Sequence, residues 1–219
     1  ELFLMKRWGQ NNNTDMSIIE YSLTYKPANA ISISLSPEYM VSTDNLQYVT
    51  TIEDTNPDNY IMANLHSEQF SLSARVNVGI TPDMSIQYYG QPFFFSGNYT
   101  KFKTITNSMA ADYYDRFHEY TPDEIKLDGE NGVYNVDADK NGTTDFSFDD
   151  PNFHFLQYRS NLVFRWEYKP GSTFFLVWSQ GRTTDGPEGT FNFSDYATEL
   201  HQAIPRNDFL IKISYALIF

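Results

Sequence analysis

The 219-residue chain is acidic, with a formal net charge of -13, and carries 17% aromatic residues and no cysteine. Its mean hydropathy is negative and no run of about 18 apolar residues occurs, which excludes a helical membrane protein. The charge argues against nucleic acid as a partner, because phosphates would be repelled, and favours cations.

From the start of the chain, Glu1 to Trp8 reads as a short strand and Gly9 to Asp15 as an Asn-rich loop. Glu1 begins in mid-strand without a starting Met, so the chain is read as a processed product or a C-terminal fragment. Ile19 to Lys26 alternates, with Tyr21, Leu23 and Tyr25 opposite Ser22, Thr24 and Lys26, and breaks at Pro27. Ile31, Ile33, Leu35, Tyr39 and Val41 then oppose Ser32, Ser34, Ser36 and Glu38, in a strand continuing to about Ile52. After a loop at Glu53 to Asn59, the cleanest alternation runs from Phe70 to Ile80 and stops at Thr81-Pro82-Asp83. Met84 opens a strand that reaches about Ile105. A long polar segment, 106–152, precedes a hairpin over Asn161 to Ser179, and another, 181–208, precedes a last strand from Phe209 to Phe219. In the hairpin, Leu162, Phe164, Trp166 and Tyr168 share one face, and Phe174, Leu176 and Trp178 share one face of the return arm. Pro37 and Pro92 fall inside strands, where a missing N–H predicts a bulge or an irregular register.

Short and long connections alternate along the chain, the asymmetry of outer-membrane proteins with short periplasmic turns and long outside loops. The expected fold is therefore all-β: an antiparallel transmembrane β-barrel of the outer-membrane type, with about seven to eight strands in residues 1–219 as part of a larger barrel. The loop at 106–152 would be extracellular and the C-terminus periplasmic. Its partners would be outer-membrane lipid, a glycan, and other outer-membrane or surface subunits. A soluble lipocalin-like barrel is the alternative fold.

The end of the chain resembles the sorting signal of outer-membrane barrels through Lys212, Ser214, Leu217 and Phe219. The segments Arg159 to Arg182, Tyr89 to Lys103 and Leu35 to Val49 resemble the C-terminal barrel of Bacteroidota surface proteins of uncharacterised function. That resemblance implies an N-terminal carbohydrate-binding domain of the family-9 type in the same protein, and a role in glycan or nutrient handling. A pore or transporter and a lipase- or protease-type barrel enzyme are the competing functions.

The sharpest chemical motif is Asp137-Ala138-Asp139-Lys140-Asn141-Gly142-Thr143-Thr144-Asp145. Oxygen-bearing side chains at positions one, three, five and nine, a glycine at six and a backbone carbonyl at seven make the first part of a calcium loop. Asp137, Asp139, Asn141, Thr143 and Asp145 are the candidate Ca²⁺ ligands, and a solvated acidic turn is the alternative. Phe148 stands where an EF-hand has its bidentate Glu, so Asp149 or Asp150 would close the shell. Arg75, Arg159, Arg165, Glu167, Lys169 and Lys212 share the presumed inner face, where a network with Glu20 or Glu38 is expected. His66, His118, His154 and His201 lack metal-ligand spacing, and no Ser-His-acid arrangement is specified. Tyr113, Tyr114, Phe117 and Tyr120 either stack on sugar rings or pack the long loop onto itself.

Overall fold

The computed structural model describes residues 1–9, 13–53 and 58–217. The strands are β1 (Leu2–Trp8), β2 (Thr14–Tyr21), β3 (Leu23–Ala28), β4 (Ile31–Ile52), β5 (Asn59–Thr81), β6 (Met84–Ile105), β7 (Phe117–Glu119), β8 (Ile125–Asp128), β9 (Val133–Val136), β10 (Phe146–Asp149), β11 (Phe153–Lys169), β12 (Ser172–Gly186) and β13 (Arg206–Ser214). One helix, α1 (Phe193–Gln202), lies between β12 and β13. It is too short to cross a membrane, and no helix among the described residues is long and apolar enough to do so.

The main sheet runs β1-β2-β4-β5-β6-β11-β12-β13, with β3 continuing the edge of β4 and β7 that of β6. All its ladders are antiparallel. This corrects the expected barrel. Among the described residues β1 and β13 are the two ends of an open sheet and do not pair with each other. Period-two alternation reports only that each strand has two unlike faces; it is the same in an open sheet and in a closed one, so closure was not legible in it. A second sheet, β10-β9-β8, packs against the large one in a two-layer arrangement.

Directly opposed residues of an antiparallel ladder share a face, and the register carries one apolar face across the main sheet. Leu4 opposes Ile19, Leu23 opposes Leu35, Val76 opposes Tyr88, Ile86 opposes Phe164, Phe164 opposes Leu176, and Leu176 opposes Ile211. The other face is polar: Ser34 opposes Arg75, Asn77 opposes Gln87, and Ser85 opposes Arg165. Arg165 Nη2 pairs with Glu167 Oε2 at 2.8 Å, and the Arg75 guanidinium lies 4.8 Å from the Tyr89 ring centroid. A network of these cations with Glu20 or Glu38 was expected; Glu38 instead accepts from Gln69 Nε2 (2.9 Å), and Arg165 takes Glu167.

Proline acts here by interrupting ladders. Pro37 lies where β2 gives way to β3 along β4: Glu20 pairs with Glu38 and Leu23 with Leu35, with no ladder pair between them. Pro92 lies between Ser71↔Phe93 and Ala74↔Gly90, a gap of equal length on both strands. Neither proline shifts the register, because the lost N–H removes a bond without adding a residue. The tight turn between β11 and β12 rests on Gly171, whose φ of +75° suits a residue without a Cβ.

Two small cores position the candidate sites. Ile61, Ala63 and Phe102 of the main sheet bury Tyr120, Val136 and Phe148, so the segment anticipated as a polar loop closes over the far ends of β5 and β6. Phe94 and Leu156 bury Tyr196 and Leu200, which are one helical turn apart on the inward face of α1. Asn192 caps that helix by accepting from the backbone N–H groups of Ser194 and Asp195. Of the residues suggested as a sorting signal, Lys212 and Ser214 lie in β13, Leu217 follows it exposed, and Phe219 lies outside the described residues.

Candidate functional site

The acidic motif forms the turn between β9 and β10. Strand pairing fixes its two ends, since Val136 opposes Phe146, and between them the chain folds over its own side chains. Asp137 accepts from the N–H groups of Asn141 (3.0 Å) and Gly142 (2.8 Å), Asp145 Oδ2 from Ala138 N–H (2.8 Å), and Asn141 Oδ1 from Thr143 N–H (2.8 Å). Lys140 and Gly142 supply the left-handed backbone the turn needs, at φ +59° and +88°. One carboxylate oxygen from each of Asp137, Asp139 and Asp145 lies within 4.8 Å of the others. These are hard oxygen donors of the kind that hold Ca²⁺, and Asn141 and Thr143 lie in the same turn.

Asp149 and Asp150 stand at the opposite end of β10 and do not join the cluster. Asp150 accepts from Asn152 N–H at 3.1 Å instead. Phe148 is buried against Phe102 and Tyr134, so the position that holds a ligand in an EF-hand serves the core here.

A cavity of about 400 Å³ opens at the ends of β5 and β6. Lys101, Lys103, Asn64, Tyr113, Tyr114 and Glu119 are among the residues lining it. A β-bulge builds it: Asn64 opposes Thr100 and Met62 opposes Lys103, so two steps on β5 span three on β6. Lys101 takes up the extra residue at φ +52°, an uncommon conformation for a side chain of this size. The bulge leaves Phe102 and Lys103 both buried although they are adjacent. Lys103 Nζ donates to the Asn45 carbonyl oxygen (2.9 Å) and to Asn64 Oδ1 (2.8 Å). Burial lowers the pKa of Lys103, and Lys101 lowers it further, while Glu119 and Asp44 oppose them.

Residues 3–219 match a family described as a domain of unknown function, DUF5916. The chain belongs to this family. The DUF5916 match spans both sheets, the acidic turn and the lysine cavity. No curated protein and no solved structure matched the chain.

In this DUF5916 chain Glu124 ties the acidic turn to its surroundings. Its Oε2 accepts from Thr121 N–H (2.7 Å) and Thr121 Oγ1 (3.0 Å) and lies 3.2 Å from His118 Nε2, while Oε1 lies 3.4 Å from Lys140 Nζ. The Thr121 N–H is the main reason the carboxyl is held down to about 2 from an ordinary 4.5; burial opposes it, and the Thr121 hydroxyl and His118 add to it. The folded form therefore releases its proton more readily than the unfolded one. Its contribution is complete above about pH 4.5 and is lost as pH falls from there through about 2. Amide hydrogen exchange between Phe117 and Asp149 should accelerate across that window, and Glu124→Gln should flatten the response.

The histidines are scattered, as their spacing implied. His154 is buried, with Nδ1 3.1 Å from the Glu188 carbonyl oxygen and Nε2 3.1 Å from Glu199 Oε2, and so anchors α1. Tyr120 packs into the core, whereas Tyr113, Tyr114 and Phe117 line the lysine cavity. Sequence reading missed Lys103 and Asn64. The only local signal was a Lys-Phe-Lys run at the end of a long alternating strand, which does not reveal a bulge.

Proposed function

We propose that the chain is a membrane-inserted unit that holds a surface protein at the bacterial outer membrane, in the handling of glycans or nutrients. The observation that carries this reading is the apolar sheet face. It crosses the main sheet from β1 to β13, and its edge residues stand open, with Leu4 64% and Ile211 62% exposed. Outside the patch around Phe94 and Leu156 that α1 covers, an open apolar face of that extent is an aggregation hazard in water and an ordinary surface in lipid. Among the described residues the outer edges of β1 and β13 are unpaired, and in lipid their N–H and C=O groups would need partners because hydrocarbon cannot satisfy them. The resemblance to Bacteroidota surface proteins with a family-9-type carbohydrate-binding domain supports the glycan element. In this reading the 106–152 segment is extracellular and the C-terminus periplasmic. Flotation with phospholipid vesicles tests the reading: the protein should rise with the lipid and resist extraction by carbonate. Recovery as a monodisperse species without detergent or lipid would refute it.

The acidic turn is proposed to hold one Ca²⁺ through Asp137, Asp139, Asn141, the Thr143 carbonyl and Asp145. What supports it is the convergence of three carboxylates whose charges no side-chain cation offsets among the described residues, Lys140 being turned to Glu124. Extracellular calcium modules bind at about 10⁻⁴–10⁻³ M. Calcium in that range should protect the segment near Asp128 to Asn135 from limited proteolysis, and Asp137→Ala with Asp139→Ala should abolish the protection. Identical cleavage with calcium and with chelator would identify a solvated turn.

A further inference from the structure

We propose that the cavity lined by Lys101 and Lys103 is a binding site for an acidic saccharide, with the sugar carboxylate held by Lys103. The inference goes beyond the membrane reading and does not depend on it. Its basis is a buried ammonium with no carboxylate in contact, although Glu119 opposes it in the ladder. Lys103 is 8% exposed, and among the described residues no carboxylate oxygen lies within 4.0 Å of its ammonium. An ammonium has three donors; Asn45 O and Asn64 Oδ1, which take two of them, are neutral. Burying a cation in this way is costly unless an anion completes the pair. In a chain with a net charge of -13, two lysines against the single carboxylate of Glu119 leave this cavity with a local excess of positive charge.

The remaining walls select among anions. Tyr113 and Tyr114 meet edge to face at 5.5 Å, and Tyr114 is 79% exposed, so an aromatic surface stands open at the cavity. Such rings suit the C–H face of a pyranose, and an inorganic anion would leave them unused. Glu119 and the amide of Asn64 offer acceptors and donors for hydroxyl groups. A ligand with a carboxylate, an apolar ring face and several hydroxyls meets all three requirements, and a uronic acid is that chemistry. At about 400 Å³ the space suits a small ligand. The αL backbone at Lys101, in a residue without a glycine's freedom, is the kind of local strain that collects at ligand sites.

Isothermal titration of the full chain with digalacturonate and with a glucuronate-ended disaccharide, each beside its methyl ester, tests the proposal. At least one acid should bind about tenfold or more tightly than its ester, and added salt should narrow the difference. Lys103→Met should remove the preference for the acid. Lys101→Met, at an exposed site that leaves the core intact, should reduce it if Lys103→Met does not fold. Tyr114→Ala should weaken acid and ester alike. Three results would overturn the proposal: no binding of either acid up to about 10 mM, equal binding of acid and ester, or competition by acetate as effective as by the saccharide.

Discussion

Phe102→Ala should detach the three-stranded sheet from the main one at a cost of about 3–5 kcal/mol, the usual range for removing a buried phenylalanine side chain. Phe102 is 5% exposed, and its ring lies 4.5 Å from that of Tyr134 and 5.3 Å from that of Phe148, which themselves stack at 5.5 Å. Alanine would leave a void that the rigid ladder of β5 and β6 could not close. The strands β8, β9 and β10 have four residues each and cannot hold a sheet without this apolar support. The loss should therefore be local: amide protection from Phe117 to Asp149 collapses while that of Phe70 to Ile80 persists. Leu127→Ala, at a 47% exposed position, should cost far less. Unchanged protection in Phe102→Ala would mean that the two sheets are not held together by this core.

The long strands were legible because alternation accumulates over many residues. The hairpin read over Asn161 to Ser179 is the centre of β11 and β12, and the strands from Ile31 and Met84 run to Ile52 and Ile105 as expected. The short strands within 106–152 leave no period in the sequence, because three or four residues are too few to establish one, although Phe146 and Phe148 flanking Ser147 do alternate. The helix α1 leaves a clearer trace in the sequence: Asn192 as a cap, with Tyr196 and Leu200 four residues apart. Sheet closure was illegible in principle, since it depends on whether β1 and β13 meet and not on the pattern of either strand. The clustering of Asp137, Asp139 and Asp145 was legible because acidic residues recur there at fixed short spacings. The lysine cavity was not, because a bulge re-aims Lys103 through backbone geometry that no local pattern announces.

Leu176→Arg should be the most damaging change on the apolar face. Leu176 lies between Phe164 and Ile211 in the ladders of β12, with an apolar neighbour on each side. An arginine near a bilayer midplane costs about 2–4 kcal/mol, falling to about 0–1 near the interfaces. Ser73 lies on the polar face, beside Ser71 and Arg75 in its own strand's alternation, and Ser73→Arg should be the milder change. Folding titrations into lipid vesicles would measure both. Equal penalties, or a larger one at Ser73, would show that the face assigned to lipid is not the one that meets it.

The chain's own tryptophans report most directly on whether lipid covers this face. Trp166 and Trp178 lie on it, 43% and 37% exposed, and the Trp178 indole stacks on Phe209 at 6.1 Å. In vesicles of phospholipid brominated along the acyl chains, the fluorescence of Trp166 and Trp178 should be quenched, most strongly by bromine at the depth of each indole. Emission unaffected by bromine at every depth, from protein shown to be folded and associated with the vesicles, would contradict a lipid-facing sheet.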